Sequence, residues 1–258
     1  YAVHPDITRS GDYVFRTSFM GEVQGRAGAK LVGEMMGKKR VSVITLANDF
    51  GKSLEAGFKE KAGEYGIEIL GEYDYSIKDR EFGPIVSKVK AESPDAIYAS
   101  GYFFTAGPLV TQLREAGVTA PVIGQEGYDG EMFIKIAGDA AEGVIITTSL
   151  DRDSNDPLAQ AFITGFQAKS GYPADMVSAS THTAVLVLAE ALKQVDPNDK
   201  AALRQAIAST SINAATGNIS FNKLGEVKKS VQVQVVRDGG WHHYAVISDP
   251  VLLAPPEE

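Results

Sequence analysis

The first part of the chain alternates short β-branched runs with stretches whose apolar residues recur at helical spacing. Six of the runs predict strands, at 13–19, 41–47, 67–75, 96–102, 121–125 and 143–149. The stretches between them predict helices, at 22–36, 50–62, 82–92, 105–116 and 129–137. Strands that alternate with helices in this way are typical of βαβ units and a mostly parallel sheet. We therefore expect one α/β domain over this part of the chain.

The pattern changes after the polar segment LDRDSNDP, residues 150–157. Three helical stretches follow without strands between them, at 157–169, 176–194 and 199–209. Short alternating runs then predict antiparallel strands joined by turns, GNISFN, SVQVQVV and WHHYAVI. Apolar helix faces need a further layer to cover, and no neighbouring strands supply it. We therefore expect these helices to pack against a part of a larger protein that this sequence does not contain.

Composition narrows the possible functions mainly by exclusion. The chain has 258 residues, of which 44% are hydrophobic and 22% charged, as in globular proteins. A formal net charge of -8 and a pI of about 5.1 argue against nucleic acid as a partner. The absence of cysteine excludes disulfides and thiolate chemistry. No apolar stretch approaches the length of a membrane span, and the first residues lack the pattern of a signal peptide.

Three loops that follow predicted strands carry the candidate chemistry, at 48–51, 101–104 and 124–128. In an open α/β sheet, ligands bind beyond the carboxyl ends of the strands, where such loops converge. The loops would place aromatic rings and the carboxylate of Glu126 on one rim, which suits a small ligand with an apolar body and a cationic group. Aromatic packing beside a solvated acid explains the same residues, and the pattern alone leaves both interpretations open.

No standard catalytic or cofactor motif accompanies these loops. The sequence lacks a P-loop, a G-x-S-x-G motif and a G-x-G-x-x-G turn after a strand. His242 and His243 are adjacent on a predicted strand, so we expect their side chains to point to opposite faces and not to share a metal. An enzyme with Glu126 as general base would need a partner nucleophile or metal cluster, which the sequence does not offer. We expect no catalytic residues, no metal and no cofactor.

From about Tyr13 to Trp241 the order of motifs resembles the C-terminal two-thirds of the type I periplasmic solute-binding proteins. The motifs are YVFRTSF, VSVITLANDFGKSL, SPDAIYASGY, GQEG and IAGDAAEGVIITT, followed by TGNISFNKLGE and VQVVRDGGW. They are most similar to the branched-chain amino-acid branch, which serves ABC importers. Each motif is weakly specific by itself, and it is their order over nearly the whole chain that carries the resemblance.

Proteins of this family have two α/β lobes with mostly parallel sheets, joined by three crossings, and clamp a ligand between the lobes. The resemblance implies that 16–147 form the second lobe. It also implies that 148–212 contribute helices to a first lobe that is incomplete in this sequence. Residues 1–15 would be a crossing segment, and 213–258 would hold the closing strands, a hinge crossing and the tail.

The resemblance also implies roles for individual residues. Glu126 matches the family's acid that receives the ammonium group of an amino-acid ligand, and Tyr102 matches an aromatic residue that lines the same site. Phe50 stands where amino-acid binders commonly have tyrosine, which removes a hydroxyl contact and leaves the exact ligand open. Further candidates are Phe103, Tyr128 and His182, the last on the first-lobe side of the cleft.

The function implied by the resemblance is capture of a small amino acid, branched-chain or aromatic, by a periplasmic or otherwise extracytoplasmic protein. Its partners would be that small-molecule ligand and the membrane permease of an ABC importer. Two alternatives share the fold. One is a receptor domain that senses a ligand, and the other is a binder of a different small solute, such as an aromatic acid or an amide.

Overall fold

A computed structural model describes residues 3–257, and strands of this part build one large and one small sheet. The strands are β1 (Arg40–Leu46), β2 (Glu68–Tyr75), β3 (Ala96–Ala99), β4 (Val122–Gly124), β5 (Ile145–Thr148), β6 (Ile212–Ala214), β7 (Gly217–Phe221), β8 (Val227–Lys228), β9 (Val231–Arg237) and β10 (Gly240–Ile247). The large sheet has the order β10-β9-β5-β4-β3-β1-β2, and the small one has the order β6-β7-β8.

Helices connect the strands of the large sheet and continue beyond it. The α-helices are α1 (Asp6–Arg9), α2 (Gly21–Lys30), α3 (Asp49–Ala62), α4 (Gly83–Glu92), α5 (Phe103–Glu115), α6 (Glu131–Ala137), α7 (Pro157–Ser170), α8 (Met176–Leu192) and α9 (Lys200–Ala208). A π-helical segment, Leu31–Met35, continues α2, and 3-10 turns occupy Glu126–Tyr128 and Gly138–Ala141. Within residues 3–257, no helix combines the length and apolar character that a membrane crossing needs.

The expected parallel α/β sheet is confirmed for β1 to β5, which pair in parallel. β9 pairs antiparallel with both β5 and β10, so the C-terminal hairpin completes the same sheet. A lobe that ended at residue 147 would therefore leave out two strands of its own sheet.

Apolar residues on alternate positions of each central strand explain why the sheet carries helices on both faces. On β1, Val41 and Val43 face the core formed with α2 and α3, while Ile44 and Leu46 face the core formed with α4, α5 and α6. Strands that are covered on both sides read as continuous apolar runs, as β1 does. The site loops therefore extend from strands whose side chains are buried on both faces of the sheet.

The prediction of a strand at 13–19 was wrong. This segment contains only an isolated bridge between Arg16 and Glu226, and it pairs with neither edge strand of the large sheet, β2 or β10. The Arg16 guanidinium instead forms an ion pair with the buried Glu226 carboxylate. Thr8 donates a further hydrogen bond to this carboxylate, at 2.6 Å. A buried charge needs such partners, and they fix this segment against the turn before β8.

Helices α7, α8 and α9 pack with the small antiparallel sheet and outside the large one. Asp156 and Asp175 cap α7 and α8, and Pro157 occupies the first turn of α7, where a missing N–H costs nothing. One stripe of α8 stays exposed although it is apolar, and it consists of Val177, Val185, Leu188 and Leu192. The small sheet thus covers part of the helix surface that the sequence analysis expected to lack a layer, and this stripe of α8 is left uncovered.

Candidate functional site

The three loops singled out in the sequence meet at the carboxyl ends of β1, β3 and β4. The rings of Phe50 and Tyr102 stack with their centroids 4.9 Å apart. A Cβ atom on Gly127 would lie 2.0 Å from the carbonyl oxygen of Gly101 and 3.2 Å from the Phe50 ring. Only a residue without a side chain allows this approach, so Gly127 brings the loop of Glu126 against the other two.

Glu126 begins the 3-10 turn after β4 and is completely buried. Its Oε1 atom accepts a hydrogen bond from the Ser149 hydroxyl at 2.5 Å. Ser149 follows β5, the neighbouring parallel strand, and its hydroxyl in turn accepts a hydrogen bond from Lys229 Nζ at 2.9 Å. The other carboxylate oxygen, Oε2, is buried without a hydrogen-bond donor among the described residues. A buried acceptor without a partner is costly, so Oε2 is an oxygen of this site that can still accept a hydrogen bond.

Burial and charge have opposite effects on Glu126. Burial raises the pKa of the Glu126 carboxyl, the Lys229 ammonium opposes that rise, and the carboxylate of Asp129 adds to it. Burial likewise lowers the pKa of Lys229 to about 8, and the charge of Glu126 opposes that shift. The two groups therefore support each other's charged forms in a site that water does not reach.

Phe50 and Tyr102 flank a cavity of about 280 Å³ on the rim. Its remaining lining comes from α1 and its flanks and from the loop after β1. Val3 packs against Phe50 and Leu54, which leaves the Phe50 side chain only 3% exposed. Tyr102 is half-buried and directly precedes α5, and its backbone N–H donates to Thr105 Oγ1 at 3.2 Å. Of the two stacked rings, Tyr102 is thus the more exposed, although it also stacks with the ring of Phe104 at a centroid distance of 5.6 Å.

The structure does not bring the further candidates together. Tyr128 is fully buried in the core, stacked on Phe133 with centroids 5.1 Å apart, and not on the rim. Phe103 is half-buried and lines a separate surface cavity with Asp129 and Tyr172. His182 is exposed on α8, 4.9 Å from the ring of Phe162, in a groove between α7 and α8.

Asp129 forms a second polar cluster, directly beside the loop of Glu126. Its carboxylate accepts hydrogen bonds from Thr148 Oγ1 at 2.7 Å and from the backbone N–H of Met176 at 3.1 Å. It also forms an ion pair with Arg152. The cluster therefore ties the loop after β4 to the first turn of α8, across the segment that leaves the large sheet.

Ser149, Lys229 and the Asp129 cluster were missed in the sequence. Ser149 could have been found, because it follows the parallel strand next to β4 and such strands end at one edge. Lys229 carries no local signal, since a lysine in a turn between predicted strands is usually solvated.

The paired histidines contact different acids. His242 Nδ1 lies 3.1 Å from Asp153 Oδ2, and His243 Nδ1 lies 2.7 Å from Asp151 Oδ2. No cluster of three or more potential metal ligands exists among residues 3–257.

Comparison with known proteins shows which family the chain resembles. A family described as periplasmic binding protein matches residues 5–240. A leucine-, isoleucine-, valine-, threonine- and alanine-binding protein of Pseudomonas aeruginosa is 28% identical over 228 residues, which are 88% of this chain and 61% of the relative. A Leu/Ile/Val-binding protein homologue of Brucella melitensis is 30% identical over 229 residues, which are 88% of this chain and 62% of the relative. The chain thus spans less than two thirds of the length of these relatives.

A crystal structure of a leucine binding protein from Thermotoga maritima shares the fold with a TM-score of 0.88 and 29% identity, covering 95% of this chain and 71% of the other. A parallel α/β sheet with a buried carboxylate at its carboxyl edge is typical of proteins that bind small molecules. The chain belongs to the periplasmic binding protein family, and its fold is the type I fold of that family.

Proposed function

We propose that this chain is part of the extracytoplasmic solute-binding protein of an ABC importer and captures a small amino acid, branched-chain or aromatic. The observation that carries the proposal is the Oε2 atom of the fully buried Glu126 at the carboxyl edge of the sheet, which has no hydrogen-bond partner among residues 3–257. The names of the Pseudomonas and Brucella relatives support an aliphatic amino acid as ligand. In this proposal the chain performs no chemistry on the ligand.

The ligand's ammonium group would donate to Glu126 Oε2, and its apolar body would lie toward Tyr102. Binding in a closed cleft removes water from both contacts, which strengthens the charge-assisted hydrogen bond. We further propose that the large sheet and its helices are the second lobe, and that α7 to α9 belong to the first. Closure of the two lobes about the crossing segments would then bury the ligand and present a surface to the permease.

The test is Glu126→Gln, which keeps the size of the side chain and removes its charge. A charge-assisted hydrogen bond is worth about 1.5 to 3 kcal/mol, so the affinity for L-leucine should fall about tenfold to a hundredfold. Isothermal titration calorimetry measures this change. The control is Glu142→Gln, an exposed acid in the turn before β5. Equal affinities of the two variants would remove Glu126 from the site.

A further inference from the structure

Lys229 is a buried lysine that forms no direct ion pair with a carboxylate among the described residues, although it lies near Glu126. Its side chain is about 8% exposed. The ammonium group donates to the carbonyl oxygen of Thr17 at 2.9 Å and to the Ser149 hydroxyl at 2.9 Å, and lies 4.5 Å from the centroid of the Phe19 ring. A buried ammonium without a compensating charge is costly, so its position requires an explanation.

We propose that Lys229, acting through Ser149, is the positioning residue of the ligand site: it balances the charge of Glu126 and leaves Oε2 as the oxygen that meets the ligand. The inference rests on the proposed function for the identity of that ligand. Lys229 is far from Glu126 in the sequence, and it lies outside the three loops that the sequence analysis selected.

The hydrogen bonds fix the orientation of the carboxylate. Ser149 receives a hydrogen bond from Lys229 and donates its single hydroxyl proton to Glu126 Oε1. Lys229 thereby makes the hydroxyl point one way, because a serine that accepts from an ammonium group keeps its own proton for another acceptor. With Oε1 held in this chain of hydrogen bonds, Oε2 is left as the acceptor without a partner in the described part of the chain.

The charges around Glu126 show why a cation is needed there. The groups whose charges act on Glu126 include Lys229 and Asp129. Asp129 repels a second negative charge, and its own partner Arg152 is engaged with it and with Gln234. Lys229 is therefore a buried cation that favours an ionised Glu126, which is the form that attracts a ligand ammonium group, and the charge of the amino terminus acts in the same direction.

The experiment follows the titration of the Glu126 side-chain carboxyl carbon by NMR in the unliganded 258-residue chain. We expect Lys229→Met to move the midpoint upward by about one pH unit or more, since a nearby opposite charge shifts a carboxyl group by that amount. The conservative Lys229→Arg keeps the charge and should restore most of the shift. The matched control is Lys228→Met, which removes the same charge from the exposed neighbouring position.

Equal midpoints in Lys229→Met and Lys228→Met would overturn the inference. If Lys229→Met does not fold, Lys229→Gln decides the question, because it removes the charge and keeps a polar side chain at this position. Its Glu126 midpoint should rise, and an unchanged midpoint would overturn the inference.

Failure of this inference is distinguishable from failure of the proposed function. The titration needs no ligand, whereas the function is tested by the effect of Glu126→Gln on leucine affinity. Weak binding by Glu126→Gln together with an unshifted midpoint in Lys229→Met would reject the role of Lys229 alone. A shifted Glu126 midpoint in Lys229→Met together with normal leucine binding by Glu126→Gln would reject Glu126 as the ligand site. The electrostatic interaction between Lys229 and Glu126 would still stand.

Discussion

At the scale of single residues, Glu126 is completely buried, with one carboxylate oxygen hydrogen-bonded and the other without a partner among the residues that the structure describes. The sequence predicted its place at the end of a strand, and the structure adds the burial and the partners. Phe50 differs from the prediction because Val3 covers its ring. Val3, three residues before the start of α1, thus covers one of the two aromatic rings that the loop pattern placed on the rim.

Lys229 also predicts how stability depends on pH. Burial lowers the pKa of Lys229 to about 8 in the folded chain, from an ordinary value of 10.5. Between these two values the unfolded chain holds the proton and the folded chain does not, so the free energy of unfolding rises with pH. Below pH 8 the folded chain bears the full cost of the buried cation.

When the pH is raised from about 7 to about 10, we expect the free energy of unfolding of the wild-type chain to rise by on the order of 1 to 3 kcal/mol more than that of Lys229→Met. Urea unfolding at the two pH values measures the difference. Lys228→Met should follow the wild type, because its side chain is exposed. Parallel pH dependence in the wild type and Lys229→Met would show that Lys229 is not a buried cation.

At the scale of secondary-structure elements, the site depends on three parallel strands ending at one edge and on the close approach of their loops. Sequence periodicity predicted β1, β3 and β4 and their helices, because buried parallel strands and amphipathic helices have clear local signals. It could not predict that β9 and β10 join the same sheet, since their alternation fits any antiparallel pair. Nor could it find the contact of Lys229 with Ser149, which joins segments 80 positions apart.

Gly127→Ala tests the loop approach. The new Cβ would lie 2.0 Å from the Gly101 carbonyl oxygen, a backbone atom that cannot rotate away. We expect a loss of about 1 to 3 kcal/mol in the free energy of unfolding, the usual cost of overpacking, and weaker leucine binding. Chemical denaturation and calorimetry measure the two effects.

Gly165→Ala is the matched control, because an added Cβ within α7 would meet no atom within 4 Å. It should stabilise the chain by about 1 kcal/mol through helix propensity. If Gly127→Ala behaves in the same way, the loops do not depend on this contact.

At the scale of the whole molecule, the described chain has one well-covered sheet and a second helical region with an exposed apolar stripe. On α8, Val185 is 59% exposed and Leu188 is 43% exposed. Positions 177, 185, 188 and 192 fall on one helix face, and contiguous apolar surface of this kind usually marks an interface. In the proposed two-lobe arrangement, the part of a longer chain that completes the first lobe would cover this stripe.

We expect the 258-residue chain to self-associate through this stripe. Val185→Lys combined with Leu188→Lys should shift the population toward monomer in sedimentation velocity runs. Val251→Lys is the control, because it introduces the same charge at a residue that is 84% exposed outside the stripe. An unchanged distribution in the α8 variant would show that the stripe does not mediate association.

The most direct test of the central claim compares L-leucine with 4-methylpentanoate, which has the same carboxylate and side chain without the ammonium group. Both are titrated into the 258-residue chain while the NMR signals of Glu126 and its neighbours are followed. The account predicts that leucine shifts these signals and binds at least about tenfold more tightly, since only leucine can donate to Glu126 Oε2. Equal affinity for the two compounds, or leucine binding that leaves the Glu126 signals unchanged, would contradict it.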